Sequence, residues 1–337
     1  MDCGWRENCR RFSCPRAAIF ATLRFSAILL LLACLTFALR AQTSVPAHAD
    51  ANCASRYRIQ QRLVDGFTFE TYSHGEEFPA CLTVHRDGKL IYKRLEDVRS
   101  FSLGQSAQPQ YGIPAVVNGA DLTSRGNSNM IVTSYSGGAH CCTTLYLFEL
   151  NPQFRLLTTV YLGDRDLAHF AKDPVDGKFY LHSADNTFAY WHTSFAESPA
   201  PSVVLRWVED NPGHGSFRLA LDKMQGHEPS AKEWKKNFVE PAHQAFEPGE
   251  AYADPLSGTY SVGPGLWSSM LDLIYSERSL LAWKLIDEVW PTSKSGKDKF
   301  LSDFCSQLSK SPYWPELQPT LKEPPQACRT ALSKAKG

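Results

Sequence analysis

Short β-branched and aromatic runs, cut repeatedly by Gly, Asn, Asp and Pro, fill the chain from about residue 56 to about residue 222. A texture of that kind makes hairpins rather than helices, because each run is strand length and each break supplies a turn. The runs include Cys81–Val84, Leu90–Tyr92, Met130–Thr133, Thr143–Leu150, Leu156–Tyr161 and Ser202–Trp207. Arg86-Asp87-Gly88-Lys89 marks one hairpin directly, since Asp-Gly suits the positive φ angles of a type I′ turn. Two echoes suggest repeated four-strand units of propeller-blade type. Asp87–Tyr92 resembles Asp176–Tyr180, and Asn151–Leu156 resembles Asn211–Leu219.

From about residue 228 the period changes. Ser230–Val239 reads as one helix. Trp267, Leu271 and Ile274 share a face of a second. Leu281, Leu285 and Val289 place a third over Ser279–Trp290, closed by Pro291, and Phe300, Phe304 and Leu308 a fourth over Lys297–Leu308. Residues 226–264 read as a linker with a short helix, and the proline-rich stretch Pro312–Pro325 as an extended tail.

The first 49 residues differ from the rest. A basic start is followed by the apolar run Phe25–Leu39, which suits a signal-peptide core better than a membrane span of about 20 residues. Ala47-His48-Ala49 is an A-x-A-like site, so residues 1–49 are expected to be a cleaved signal peptide. A signal-anchored form is the rival, and Cys34 as a lipoprotein cysteine is a third reading. Residues 50–337 then hold 29 basic and 33 acidic side chains. That mild negative balance gives a nucleic-acid partner no electrostatic support. Cys53, Cys81, Cys141, Cys142, Cys305 and Cys328 remain, an even set in an oxidising, periplasmic or secreted setting, so disulfides are their expected state. The local pairs Cys53–Cys81 and Cys305–Cys328 are expected, each contributing roughly 3 kcal/mol by loop closure.

Asp121–Tyr135 resembles an FG-GAP, or VCBS-type, repeat, in which a loop between two strands holds calcium with Asp and Asn oxygens. Asp121, Gly126 and Asn129 match that pattern, and Thr123 can contribute a hydroxyl. Arg125 stands where the family has an acid, and a guanidinium repels a cation. The resemblance therefore implies the hairpin without its calcium, with Arg125 pairing to Asp121. Asp173 and Asp176 in Lys172–Gly177 are a second, looser calcium candidate. Ser136-Gly-Gly-Ala-His-Cys-Cys142, with Asn186–Trp191 and Leu266–Tyr275, is similar to a group of bacterial secreted proteins of unknown role. That likeness spans residues 80–315 and implies a fold and a compartment rather than a reaction.

Three chemistries compete at His140-Cys141-Cys142: a structural disulfide, a strained redox-active vicinal disulfide, and a soft-metal site. His169, His182 and His192 lie further on; each reads as an ordinary surface or half-buried histidine, with His182 and His192 able to meet across a hairpin as the alternative. Tyr190 and Trp191 form an aromatic cluster, either core or a stacking platform for sugars. The chain lacks G-x-S-x-G, H-E-x-x-H and a phosphate loop.

The expected fold is a β-rich, propeller-like or FG-GAP-like hairpin domain over residues 50–225, followed by an α-helical region over 265–337. The expected function is a non-catalytic extracytoplasmic binding or scaffold protein for a protein or carbohydrate ligand, without a cofactor. The rivals are an envelope thiol or metal protein centred on His140, Cys141 and Cys142, and a calcium-dependent adhesion module.

Overall fold

The structure, a computed structural model, describes residues 53, 57–74, 77–138, 141–163, 167–211, 213–246 and 262–334. The expected signal peptide and its cleavage near Ala49 lie outside these residues. Three four-stranded antiparallel sheets follow one another along the chain, each a simple meander, and none closes on itself. The first holds β1 (Tyr57–Val64), β2 (Phe67–His74), β3 (Glu77–Arg86) and β4 (Lys89–Glu96). The second holds β5 (Ser100–Leu103), β6 (Asn129–Gly138), β7 (Cys141–Glu149) and β8 (Arg155–Gly163). The third holds β9 (His169–Lys172), β10 (Phe179–Ala184), β11 (Ser202–Asn211) and β12 (His214–Leu219).

Turn chemistry sets the tight hairpins. Asp87 and Gly88 adopt φ of 51° and 74°, the two positive values that a type I′ turn needs. Asp65 and Gly66 do the same at 48° and 81° between β1 and β2. Of the two sequence echoes, one falls on matching turns. Asn151 and Asn211 both sit where the third strand of a sheet gives way to the fourth, whereas Asp87 and Asp176 occupy different turns.

The middle sheet is buried on both faces. Along β7, Leu145 and Leu147 point into one apolar cluster with Phe170, Leu181 and Leu205 of the third sheet. Tyr146 and Phe148, between and beyond them, point into another with Phe67, Phe69, Leu82 and Val84 of the first sheet. Alternate residues of a strand face opposite sides, so a strand with two buried faces must be apolar at consecutive positions. Each such side chain stabilises by roughly 1.5–3 kcal/mol, several times a surface ion pair. Packing of the sheets is therefore governed by these two clusters. Side-chain amides add register. The Oε1 of Gln60 on β1 accepts the N–H of Leu103 on β5 at 2.7 Å. Gln105, just after β5, pairs both ways with Phe170 on β9, accepting its N–H at 2.7 Å and donating to its carbonyl at 2.8 Å.

Helices follow: α1 (Leu221–Met224), α2 (Ala231–Trp234), α3 (Glu240–Gln244), α4 (Pro264–Tyr275), α5 (Ser279–Val289), α6 (Lys297–Leu308), α7 (Trp314–Leu317) and α8 (Gln326–Lys334). α4 is buried over most of its surface, through Leu266, Trp267, Met270, Leu271, Leu273 and Ile274. The expected single helix over Ser230–Val239 is interrupted. It starts with a Ser230–Glu233 capping box, widens into a π turn over Lys235–Val239, and resumes as α3. Pro241 has no N–H to return to the preceding turn, which accounts for the widening. The tail also differs from the extended expectation. Leu317 is fully buried, and Lys322 bonds to α5 through Ser279 Oγ at 2.9 Å and Trp283 Nε1 at 2.9 Å. Proline at the first turn of a helix costs it no hydrogen bond, so the proline-rich stretch still folds. Cys305–Cys328 ties α6 to α8, and Cys53–Cys81 anchors the start of the described chain to β3. Both disulfides suit an oxidising, extracytoplasmic setting. Among the described residues no helix is long and apolar enough to cross a membrane.

Asp185, 3% exposed after β10, fastens the helices to the third sheet. Its carboxylate accepts from Thr187 N at 2.7 Å, and from the hydroxyls of Thr187, Tyr275 and Ser311. Burial first, and then the Asp185 charge, push the Tyr275 phenol well above its ordinary value, so it remains a donor. Asp185→Asn puts a donor where these hydroxyls need an acceptor. A buried polar group left unsatisfied costs about 1–3 kcal/mol. Urea denaturation is expected to show a loss of that size; an unchanged midpoint would remove Asp185 from this role.

Candidate functional site

The first strands of the three sheets, β1, β5 and β9, converge on one cleft of about 380 Å³. That volume is at the lower end of the range of small-molecule sites. Leu103, Ile131, Leu145, Phe170 and Leu181 line it with apolar surface and are at most 5% exposed. Polar groups line it too. β1 contributes Arg62, β5 contributes Ser102, β6 contributes Thr133 and Tyr135, β7 contributes Thr143 and β9 contributes His169. Ser102 and Thr133 are cross-strand partners, so their side chains share the cleft face. The amides of Gln60 and Gln105 are already committed to backbone groups, as described above. The hydroxyls of Ser102, Thr133 and Thr143 bond to no protein group among the described residues.

His169 stacks on His182 with ring centroids 5.1 Å apart and planes 7° from parallel. Its Nδ1 lies 2.6 Å from the carbonyl of Leu167. Burial, and then the His169 neighbour, push the His182 imidazole below its ordinary value. The two are cross-strand partners, so both imidazoles lie on one face of the third sheet, opposite the face of Phe170 and Leu181.

The two loops with expected calcium ligands are held by the protein's own cations. In the first, Asp121 accepts backbone N–H groups of Thr123 at 3.3 Å, Arg125 at 3.1 Å and Gly126 at 2.7 Å. Asn129 turns its Oδ1 to the N–H of Leu122 at 2.8 Å. The Arg125 guanidinium does not pair with Asp121. It reaches buried Glu149 at 3.0 Å and Glu209 of the third sheet at 3.1 Å. Glu149 also accepts from Asn127 Nδ2 at 2.8 Å and Arg155 Nε at 2.9 Å. The stronger attraction of a fully buried carboxylate explains the choice. Asp121 and Asn129 thus have their oxygens turned to N–H donors of their own loop. In the second loop the ammonium of Lys223, from α1, lies 2.9 Å from Asp173 and 3.2 Å from Asp176. It occupies the place of a bridging cation.

The remaining candidates separate. His140 lies outside the described residues, as does the side chain of Cys141. Cys142 is disulfide-bonded, and its Sγ is 2.8 Å from the hydroxyl of exposed Tyr161. Trp191, half-buried, packs edge-on against Phe188 and Trp267, at the margin of the core shared with the helices. Tyr190 is 59% exposed and rests on Phe195. The two are thus split between core and surface. Sequence reading named His169 but not Arg62, Ser102, Thr133 or Thr143. These come from separate strands, and no local spacing links them; only the stacking of the sheets does.

The Tyr180 hydroxyl, at 2.6 Å, is the main reason that Asp176 is held at about 2, with the N–H of Lys178 and then Lys223 adding to it. A depressed carboxyl contributes stability that is complete above its unfolded value of about 3.9 and is lost as pH falls through about 2. A carbon-13 NMR titration is expected to place Asp176 near 2, with Tyr180→Phe raising it more than Lys223→Met. An unmoved value in Tyr180→Phe would rule out the hydrogen bond as the cause. Comparison of this chain with protein families, with curated proteins and with solved structures gives no match.

Proposed function

We propose that this chain is an extracytoplasmic binding protein that holds a small polar ligand of the carbohydrate class in the cleft where β1, β5 and β9 meet. The observation that carries this reading is the lining. Uncommitted hydroxyls from β5, β6 and β7 stand over an apolar floor, the mixture by which sugars are held through their hydroxyls and C–H faces. Hydroxyls and amides recognise by hydrogen bonding and need no cofactor to do so. The disulfides support the compartment.

The fold reading behind it is an open stack of propeller-like units of the FG-GAP type. Sequential meanders, convergent first strands and the glutamine bridges from each first strand to the next support it. In such a stack a ligand site belongs at the convergence of the first strands, as in the central channel of a propeller.

Ser102 is exposed on β5, so Ser102→Trp fills the cleft without disturbing the core. Saturation-transfer NMR against a panel of neutral and acidic oligosaccharides is expected to reveal a ligand for the wild type. Calorimetry should then show at least about tenfold weaker binding to Ser102→Trp, or about 1.4 kcal/mol, at an unchanged melting temperature. Binding that survives the tryptophan intact would place the ligand elsewhere.

A further inference from the structure

Among the arginines of the β region, Arg86 lies over the Phe67 ring at 4.8 Å, whereas Arg62 lies in the cleft. The guanidiniums of Arg58, Arg94, Arg125, Arg155, Arg206 and Arg218 each meet a carboxylate. Arg62 meets none among the described residues. Its Nη1 reaches only the carbonyl of its neighbour Gln61, at 2.9 Å. It is also the formally charged side chain among the described residues lining the cleft, where no carboxylate faces it.

We propose that Arg62 reads a carboxylate on the ligand, so that the cleft selects an acidic saccharide of the uronic acid class over its neutral counterpart. The inference rests on the binding role assigned to the cleft above and names the ligand that role serves. A guanidinium matches a carboxylate with two parallel N–H donors, and such charge-assisted bonds are about twice as strong as neutral ones. Arg62 stands on β1, whereas Ser102, Thr133 and Thr143 stand on the second sheet. A sugar ring between them presents its hydroxyls to one wall and its carboxylate to the other. The volume of about 380 Å³ restricts the fit to a short stretch of such a polymer.

The test is calorimetry on the purified protein with three probes: trigalacturonate, the neutral galactotriose, and triglutamate, a peptide of the same charge. Trigalacturonate is expected to bind at least about tenfold more tightly than galactotriose. Its advantage should shrink on raising the salt, as screening requires of a partly exposed pair. Arg62→Gln should abolish the preference, bringing trigalacturonate to the affinity of galactotriose. Arg62→Lys should restore part of it. Arg218→Gln removes an equal charge away from the cleft and should change nothing. Equal binding of the two trisaccharides overturns the inference while leaving the cleft as a sugar site. Equal binding of triglutamate shows an unselective anion site and overturns it as well. A preference that persists in Arg62→Gln removes Arg62 as its source, and failure of both trisaccharides to bind sinks this inference together with the proposed function.

Discussion

Everything in this molecule follows from a middle sheet that cannot face water on either side. β6 and β7 place Met130, Val132, Tyr146 and Phe148 on one face and Ile131, Leu145 and Leu147 on the other, all at most 5% exposed. A sheet of that composition must be covered twice, so the first sheet takes one face and the third takes the other. The third sheet shares its cluster with the helices, which fixes where the C-terminal region docks. Asp185 then sets the docking geometry, because its hydrogen bonds to Tyr275 and Ser311 have direction where apolar contact has none. The cleft is a by-product of the same stacking. Twisted sheets laid face to face bring their first strands together, and side chains that are far apart in the chain become neighbours there.

Cations from the chain itself stabilise the loops that join these layers. Arg125 reaches Glu149 in the second sheet and Glu209 in the third, so one guanidinium bridges two layers. Lys223 does the same between α1 and the β9–β10 turn, through Asp173 and Asp176. A metal ion holds its loop only while bound, since its contribution depends on ion concentration. A covalently attached cation has no such dependence.

Legibility varied with the range of the forces involved. The strand runs, the Asp87-Gly88 hairpin and the helices over Ser279–Val289 and Lys297–Leu308 were readable because period and turn chemistry are local. The two disulfides were readable because near cysteines close small loops. The tail was not. Its prolines suggested extension, but Leu317 and the hydrogen bonds of Lys322 to α5 fold it against the helices. Trp191 and Tyr190 looked like one aromatic platform, and φ of 59° at Tyr190 helps to turn them apart, one to the core and one to solvent. Arg125 was readable as an obstacle to calcium but not in its partner, because Glu149 lies 24 residues away and is chosen by burial.

By itself, the sequence determined the order of the elements: hairpins first, helices after, and which residues are apolar on which period. It also determined the consecutive apolar positions of Thr143–Leu150, which oblige that strand to be covered on both sides. What only the tertiary structure decided is which surfaces do the covering, and hence that Arg62, Ser102, Thr133, Thr143 and His169 share one cleft. The reason is physical. Hydrophobic burial is strong but non-directional, so it demands that faces meet without naming the partner. The partner is settled by side-chain bonds between distant residues, Gln60 to Leu103 and Gln105 to Phe170, that form only once the sheets are stacked.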